Sequence, residues 1–208
     1  MADWATIASL ATAGGTLVLA IATFGSTRTA NRATRVAEHA LATRIRPLLL
    51  NTRFSDPPEK ITWVDDHITK VEGGRGVLEE ENGIFYLAAS VRNVGTGLAI
   101  LDSWHVMPTL ELPLPDPDPT QFRRLSRDLF IAPGDQGFWQ GAIRECDDAL
   151  REDLLELINS PRRFTVDLMY GDQEGGQHVV TRFSFMPTPS GYMFTTVRHW
   201  NLDRPGPR

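Results

Sequence analysis

The amino-acid sequence predicts a mainly β protein, in which an N-terminal transmembrane helix and a connecting helix precede an antiparallel β-sandwich with one short amphipathic helix. Two observations predict this organisation. An uncharged stretch near the N-terminus is long enough to span a bilayer, and the remainder alternates apolar and polar residues in short runs separated by glycine and proline. We therefore expect a transmembrane helix over residues 1–25, a basic juxtamembrane helix over 26–46 and a β-sandwich domain over 47–208.

The composition excludes several classes of protein. Of the 208 residues, 41% are hydrophobic and 23% are charged, which excludes a disordered chain, a collagen-like repeat and a multi-span membrane protein. The single cysteine, Cys146, excludes an internal disulfide and a multi-cysteine zinc site. The net charge of −5 argues against a nucleic-acid partner that is bound through phosphate contacts over the whole surface.

The predicted transmembrane segment is residues 4–24, which carry no ionisable side chain. As a helix this stretch rises about 31 Å, close to the ~30 Å hydrocarbon thickness of a bilayer, and Trp4 suits one interface. Five arginines follow the segment: Arg28, Arg32, Arg35, Arg44 and Arg46. The positive-inside rule then predicts a single-pass membrane protein with the N-terminus outside and the domain in the cytoplasm. The lone cysteine agrees with a reducing compartment.

Two other interpretations of this segment stay open on the sequence. The stretch Ala20-Ile21-Ala22 matches a signal-peptide cleavage site, and cleavage there would make the protein an exported sandwich. The start of the chain lacks the basic residues that precede such a peptide, and the basic residues follow the apolar run instead. A buried helix of a soluble protein is the second alternative, although the uncharged run is long for one.

Two sets of residues on the predicted helices are candidates for contact with another helix or with lipid headgroups. A ribbon of small residues recurs at every fourth position of the transmembrane segment: Ala8, Thr12, Thr16 and Ala20. Such a ribbon lets two helices approach closely and is compatible with a homo-oligomer, although an alanine-rich helix has small pairs on every side. One face of the juxtamembrane helix carries Arg28, Arg32 and Arg35. These arginines either contact anionic lipid headgroups or only fix the topology as a stop-transfer flank.

From residue 47 the chain is predicted to form short strands. The clearest runs are 48–54, 60–71, 84–91, 98–106, 164–170, 179–185 and 192–200, with turns over 79–83 and at Pro133–Gln136, the latter typical of a hairpin. One helix is predicted after Asp147 and Asp148, and its buried stripe is Leu150, Leu154, Leu157 and Ile158. The stretch 112–124 holds prolines at 113, 115, 117 and 119, which predict a stiff exposed loop.

Two stretches resemble bacterial immunoglobulin-like sandwiches. Residues 91–99 run from a strand into N-x-G-x-G-x-A, a turn in which asparagine and glycine tolerate positive φ. Residues 168–172 followed by 177–185 resemble the closing hairpin of the same group. Together with the N-terminal segment, the whole chain is similar to single-pass bacterial membrane proteins, of actinobacterial type, that carry a cytoplasmic immunoglobulin-like β-sandwich. This resemblance implies a fold and a topology but no activity.

The sequence contains no motif of a known catalytic class. We find no phosphate-binding G-x-x-x-x-G-K-[ST] loop, no H-E-x-x-H and no G-x-S-x-G. Asp65 and His67 have the residue types and the strand spacing of metal ligands, but no third ligand follows by spacing, and a solvated strand face is the simpler interpretation. Cys146 lies beside acidic residues, which disfavour a reactive thiolate, whereas a position at a helix N-terminus acts the other way, and we do not assign it as a nucleophile. The other ionisable candidates, none accompanied by a nucleophile, are Asp102, His105 and Asp172.

These observations favour a non-catalytic interaction or scaffold module that is anchored in the membrane and presents a cytoplasmic β-sandwich. Its expected partners are the lipid bilayer and a protein, and the acidic domain favours a basic protein. No cofactor, metal or nucleic acid is expected. One alternative is an exported sandwich protein. The other is a membrane-surface enzyme, whose pocket would gather residues from the set Asp65, His67, Asp102, His105 and Asp172.

A pair of reporter fusions tests the predicted orientation. A C-terminal reporter that is active only in the cytoplasm should give a signal, and one that is active only outside should stay silent, because the arginine flank is retained inside. Replacing Arg28, Arg32 and Arg35 together by glutamine should weaken this bias. The opposite pattern of reporter activity would contradict the orientation and favour the exported sandwich.

Overall fold

The computed structural model describes residues 3, 13–17, 19–20, 23–28, 30–34, 45–109, 113 and 115–203. The chain divides into two compact units, residues 1–43 and 44–208. In the first unit the described residues from 13 onwards are helical. Three threonine hydroxyls donate to the carbonyl four residues earlier, at 2.7–3.0 Å, and these are Thr23, Thr27 and Thr34. Such bonds satisfy a polar side chain within the helix itself.

The predicted transmembrane segment falls partly outside the described residues. Within the described ranges, no helix is both long enough and apolar enough to cross a membrane. The predicted contact residues are divided in the same way. Three of them, Ala8, Thr12 and Arg35, lie outside the described residues. The other four are described and helical: Thr16, Ala20, Arg28 and Arg32. The Arg28 guanidinium lies over the ring of Phe24, 4.6 Å from its centroid.

The second unit is mainly β and antiparallel, as the sequence predicts. Its described part contains the strands β1 (Leu49–Asn51), β2 (Glu59–Thr62), β3 (Ile68–Val71), β4 (Arg75–Glu81), β5 (Ile84–Asn93), β6 (Ala99–Met107), β7 (Arg123–Ile131), β8 (Gln136–Ile143), β9 (Phe164–Gly171), β10 (His178–Thr188) and β11 (Gly191–Asn201). A 3-10 turn covers Pro119–Gln121, and an α-helix covers Leu150–Asn159. Every strand pair in this part is antiparallel.

Nine of these strands form one curled sheet. Its order is β1-β5-β4-β11-β10-β9-β6-β7, with β8 also paired to β5, and β2 and β3 form a separate hairpin. Strands β4 and β11 meet at only two register positions, Gly76 with Tyr192 and Arg75 with Met193. Apolar side chains from both ends of the order share one core, so the sheet curls into two facing halves. The first half is β1, β4, β5 and β8, and the second is β6, β7, β9, β10 and β11.

The core between the two halves is rich in aromatic side chains. Phe164 stacks on Phe185 with 4.5 Å between ring centroids, and the edge of Trp104 meets Trp139 at 5.5 Å. Each fully buried side chain of this size stabilises the fold by roughly 1.5–3 kcal/mol. The 150–159 helix also packs on this core, as predicted, through two buried leucines, Leu154 and Leu157.

The β2–β3 hairpin covers the outer face of the first half. Its Ile61 and Trp63 are buried and pack against Tyr86 of β5. The prediction of one strand over 60–71 is wrong, because the chain turns at residues 64–66, where Asp66 has φ 63°. Aspartate tolerates this left-handed conformation. Asp65 and Asp66 therefore lie in a turn, and they are not part of a strand.

The N-x-G-x-G turn after β5 is organised by the buried side chain of Asn93. Its amide oxygen accepts hydrogen bonds from the backbone N–H groups of Leu48 and Gly95, at 3.2 and 2.9 Å. Its amide nitrogen donates to the carbonyls of Gly97 and Ile131, at 2.6 and 3.0 Å. The amide therefore uses its full bonding capacity, and it ties the start of the domain to two loops.

The glycines of this turn serve close packing. The expectation that they need positive φ is wrong, since neither Gly95 nor Gly97 has it. A Cβ on Gly95 would lie 2.4 Å from the carbonyl oxygen of Arg46, and a Cβ on Gly97 would lie 1.6 Å from that of Ile45. Glycine is required at both positions because the incoming backbone leaves no room for a side chain.

Two other predicted turns differ in detail. The turn over 79–83 is shorter than predicted, because β4 continues to Glu81 and the reversal is made by Asn82 and Gly83, with φ 54° and 78°. The Pro133–Gln136 turn does join β7 to β8, but these strands pair with β6 and β5 and not with each other. Pairing with β5 places Trp139 and Ile143 of β8 in the core.

Substitution of Gly97 tests the packing of this turn. Gly97→Ala should lower the free energy of unfolding by about 1–3 kcal/mol, because the added methyl group must displace the backbone at Ile45. Urea denaturation of the full-length protein measures the change. Gly176→Ala is the matched control, since no atom lies within 4 Å of its Cβ position. Equal effects of the two substitutions would contradict the packing argument.

Candidate functional site

A cavity of about 530 Å³ lies on the outer face of the second half. Strands β6, β9 and β10 supply its floor, and the loop between β6 and β7 supplies a wall. The side chains from the strands are His105, Met107, Thr165, Asp167 and Arg182. Those from the loop and the turn that ends it are Pro108, Thr109, Pro115, Asp116, Pro117, Asp118 and Gln121.

Strand alternation places the polar floor on this outer face. In β9 the side chains of Val166 and Leu168 enter the core, so Asp167 between them points away from it. The register aligns Asp167 with His105 of β6 on one side and with Arg182 of β10 on the other. The three side chains therefore form a row across the neighbouring strands β6, β9 and β10.

Asp167 and Arg182 form an ion pair in which both side chains are 0% exposed. Nε of Arg182 donates to Oδ1 of Asp167 at 2.7 Å, and Nη2 donates to Oδ2 at 2.6 Å. Nη1 donates to the carbonyl of Pro115 at 2.7 Å. The ring of Trp200 covers the guanidinium, with 4.9 Å to its centroid. Both charges are thus paired and hydrogen-bonded, as burial of an ion pair requires.

The proline-rich loop is held against this face by further polar contacts. Nε1 of Trp200 donates to Oδ1 of Asp116 at 3.0 Å. Asp118 caps the 3-10 turn, since Oδ1 accepts from the N–H and the hydroxyl of Thr120 at 3.0 and 2.7 Å, and these bonds lower the pKa of Asp118. The described part of the loop is largely exposed, as predicted, and it also covers the ion pair and lines the cavity.

His105 is half-buried beside the ion pair. Burial lowers the pKa of its imidazole below the ordinary value, so the ring is neutral at pH 7. The backbone of Gln121 and the charge of Asp167 act in the opposite direction on this pKa, and a neutral imidazole keeps one nitrogen as an acceptor. Within the described ranges, this ring has no hydroxyl or thiol as a hydrogen-bond partner.

Asp65 and His67 lie elsewhere, at the β2–β3 hairpin. The two ring nitrogens of His67 contact Glu81 at 2.5 Å and Glu79 at 3.2 Å, and the ring stacks on Tyr86 at 3.9 Å between centroids. The Tyr86 hydroxyl donates to Asp65 at 2.9 Å, and burial together with this bond raises the pKa of Tyr86 to about 12. The two glutamates face opposite edges of the imidazole, so these contacts hold the hairpin on the sheet and do not converge on an ion.

The remaining predicted candidates are scattered over the domain. Asp102 is exposed at the bulge of β6. Asp172 accepts hydrogen bonds from two backbone N–H groups of the β9–β10 turn, at 3.1 and 3.2 Å. Cys146 is an exposed free thiol. Of the five residues that the enzyme alternative requires, His105 alone lines the cavity described above. The described ranges also contain no group of three or more residues suited to hold a metal ion.

A second cavity, of about 380 Å³, is lined by residues of both β7 and β8. Two of its arginines already have acidic partners: Arg123 with Asp148, and Arg144 with Asp65 at 3.0 Å. The hydrogen bond from Arg123 lowers the pKa of Asp148. These ion pairs join β7 to the start of the 150–159 helix and β8 to the hairpin. They therefore serve the fold, and the 530 Å³ cavity is the stronger candidate site.

Sequence reasoning missed Asp167, Arg182 and the role of the loop. The alternation in β9 and β10 assigns both charged residues to an outer face, which is expected to be solvated. One signal was available, since an aspartate and an arginine occupy the middle of two neighbouring apolar runs. That signal becomes informative only when the register is known, because the register alone brings the two side chains together.

Comparison with known proteins assigns no family to the chain. No protein-family model matches it, and no curated protein matches it. A solved structure described as an ApaA protein from Bordetella pertussis is similar at 11% identity, covering 72% of this chain and 97% of that chain with a TM-score of 0.22. A likeness at this TM-score adds nothing to the assignment of fold or function.

A double-mutant cycle tests the sealed ion pair. Asp167→Leu should lower the free energy of unfolding by about 3–5 kcal/mol, because it leaves the Arg182 charge buried without a partner. The double variant Asp167→Leu/Arg182→Met should recover much of that loss, since both charges are then gone. Urea denaturation of four proteins measures the cycle: the unaltered protein, Asp167→Leu, Arg182→Met and the double variant. A double variant that is as unstable as the sum of the single variants would contradict the pairing.

Proposed function

We propose that this protein is a membrane-anchored, non-catalytic binding module whose immunoglobulin-like β-sandwich faces the cytoplasm. The N-terminal segment acts as a single transmembrane helix of the bacterial inner membrane. The domain binds a protein partner through the 530 Å³ cavity beside the proline-rich loop. One observation supports this function above the others: the cavity combines a rigid, fully hydrogen-bonded floor with a rim of accessible polar groups.

The dimensions and the rigidity of the cavity support a role in binding. Its volume falls within the range of roughly 300–1,000 Å³ that is typical of ligand sites. The floor cannot rearrange cheaply, because the ion pair fixes β9 to β10 and also fixes the loop through Pro115. A site that is held in place before the ligand arrives loses less conformational entropy on binding.

The chemistry of the cavity supports binding without catalysis. His105 is the half-buried titratable group of the floor, and it has no hydroxyl or thiol partner within the described ranges. The rim carboxylates Asp116 and Asp118 each use one oxygen in holding the loop, on Trp200 and Thr120. The other ionisable floor residues, Asp167 and Arg182, have no exposed side-chain surface, so a substrate could not reach them. General acid–base catalysis needs such groups within hydrogen-bond reach of the reacting atoms.

The anchor is supported by the sequence and by local hydrogen bonding. Residues 4–24 carry no ionisable side chain, and arginines follow them. The bonds from Thr23 and Thr27 to carbonyls of their own helix reduce the cost of placing threonine near lipid. In this arrangement Arg28, Arg32 and Arg35 contact anionic headgroups. The small-residue ribbon lets two copies associate.

Site-specific photocrosslinking in cells tests the binding role of the cavity. A photoreactive amino acid at Gln121, on the exposed rim, should give a discrete adduct with a protein partner. The same group at Val64, exposed on the β2–β3 turn, should not give this adduct. Met107→Trp fills part of the cavity and should abolish the adduct from Gln121, because Met107 lines the floor.

These experiments test binding through the cavity and anchoring in the membrane independently of each other. Identical adducts from Gln121 and Val64, or an adduct that survives Met107→Trp, would contradict binding through the cavity. Deletion of residues 1–25 should move the protein from the membrane fraction to the soluble fraction after alkaline extraction. Retention of the truncated protein in the membrane would contradict the anchor and leave the cavity result intact.

A further inference from the structure

The charges that the floor of the cavity carries are unavailable to a ligand. Asp167 and Arg182 neutralise one another, and neither side chain has exposed surface. The guanidinium uses its donors on Asp167 and on the carbonyl of Pro115. An incoming group therefore meets no free positive charge from this pair, and the accessible rim decides which ligand charge is favoured.

Two carboxylates lie on the accessible rim. Asp116 and Asp118 are exposed, and each uses one carboxylate oxygen, Oδ1, in the contacts described above. Their second oxygens carry no side-chain or backbone bond within the described part of the chain. The neutral ring of His105 adds a lone pair. A rim with two carboxylates favours a cation that donates hydrogen bonds.

Part of the cavity surface is apolar, beside the polar residues Thr109, Gln121 and Thr165. Pro108, Pro115 and Pro117 of the loop and Met107 of β6 line it. Lysine and arginine have this combination of properties, since a hydrocarbon stem lies along apolar surface while the charged head reaches polar groups. Proline rings are rigid, so the wall orders such a stem with little loss of its own conformational freedom.

We infer that the cavity binds a cation carried on an apolar stem, as in a lysine or arginine side chain of a partner protein. This inference rests on the proposed function, because it takes the cavity to be the binding site. The same chemistry occurs in a free alkyl diamine, which would occupy the cavity without any protein partner. The negative charge of the whole chain acts in the same direction, since it attracts a basic partner.

Acidification should weaken this binding. The groups whose charges act on His105 come from four elements: Asp167 of β9, Arg182 of β10, Arg123 of β7 and Asp118 of the loop. The pKa of Asp118 is lowered by its bonds to Thr120, so this carboxylate keeps its charge under mild acidification. Burial lowers the pKa of His105, so the ring gains its charge only on the acidic side of neutrality and then repels a bound cation.

Trp200 supplies a built-in probe for a binding experiment. Its indole N–H donates to Asp116 at the rim, so the nitrogen–proton NMR signal of that indole should shift when the carboxylate engages a cation. The full-length protein in detergent is titrated with acetyl-lysine methylamide, acetyl-arginine methylamide and cadaverine. Acetyl-norleucine methylamide is the neutral control, and acetyl-glutamate methylamide is the anionic one. Trp200→Phe identifies the signal.

The cationic probes should bind at least about tenfold more tightly than the norleucine and glutamate probes, as a charge-assisted hydrogen bond predicts. The double variant Asp116→Asn/Asp118→Asn should lose this preference, although asparagine preserves the bond from Trp200 and the cap of the 3-10 turn. The control Asp66→Asn/Glu174→Gln removes the same charge from residues that do not line the cavity, and it should bind like the unaltered protein.

The titration decides whether the ligand is a cation and whether it comes from a protein. Equal binding of norleucine and lysine probes, or no shift with any probe, overturns the cationic ligand, whereas the crosslink from Gln121 still decides the binding role. A preference for lysine and arginine probes over cadaverine supports a protein side chain. Tighter binding of cadaverine overturns the protein source and assigns a free diamine. Cation affinity should fall as the pH is lowered from 7 through the pKa of His105, and His105→Asn should remove that fall. A fall that persists in the variant overturns the role of His105.

Discussion

The ion pair between Asp167 and Arg182 constrains the whole outer face of the second half of the sheet. A buried charge is tolerated only where an opposite charge and hydrogen bonds replace water, and this pair meets that condition with three bonds from one guanidinium. Two bonds require β9 and β10 to keep their register, and the third requires Pro115 to lie over the strands. The position of the loop, and therefore the wall of the cavity, follows from the arginine beneath it.

The two outer faces of the curled sheet are covered by different means. The first half is covered by the β2–β3 hairpin, whose Trp63 and His67 pack on Tyr86, and this contact is largely aromatic. The second half is covered in part by the proline-rich loop, whose described contacts are mainly polar. Proline-rich backbone cannot follow a sheet closely, because it lacks N–H donors and is rigid. This mismatch leaves a cavity on the second face, where a ligand has room.

The domain begins and ends at one fixed point. The Arg46 guanidinium donates to Asn201 at 2.6 Å and forms an ion pair with Asp203 at 2.5 Å, which joins the first residues of the domain to the end of β11. Asn93 and the packed Gly97 hold the same backbone from the other side. These contacts fix the first described residues of the domain against the end of β11 and the turn after β5.

The sequence by itself determined the uncharged N-terminal stretch, the mainly β domain and the helix over Leu150–Asn159, because hydropathy, alternation and the helical period are local properties of the chain. Tertiary structure decided the rest. The turn at Asp66 and the close approach at Gly97 depend on what packs nearby, so residue type alone misassigned both. Asp167 and Arg182 are 15 residues apart in sequence, and only the register of β9 and β10 together with the loop converts two surface charges into a sealed pair beneath a cavity.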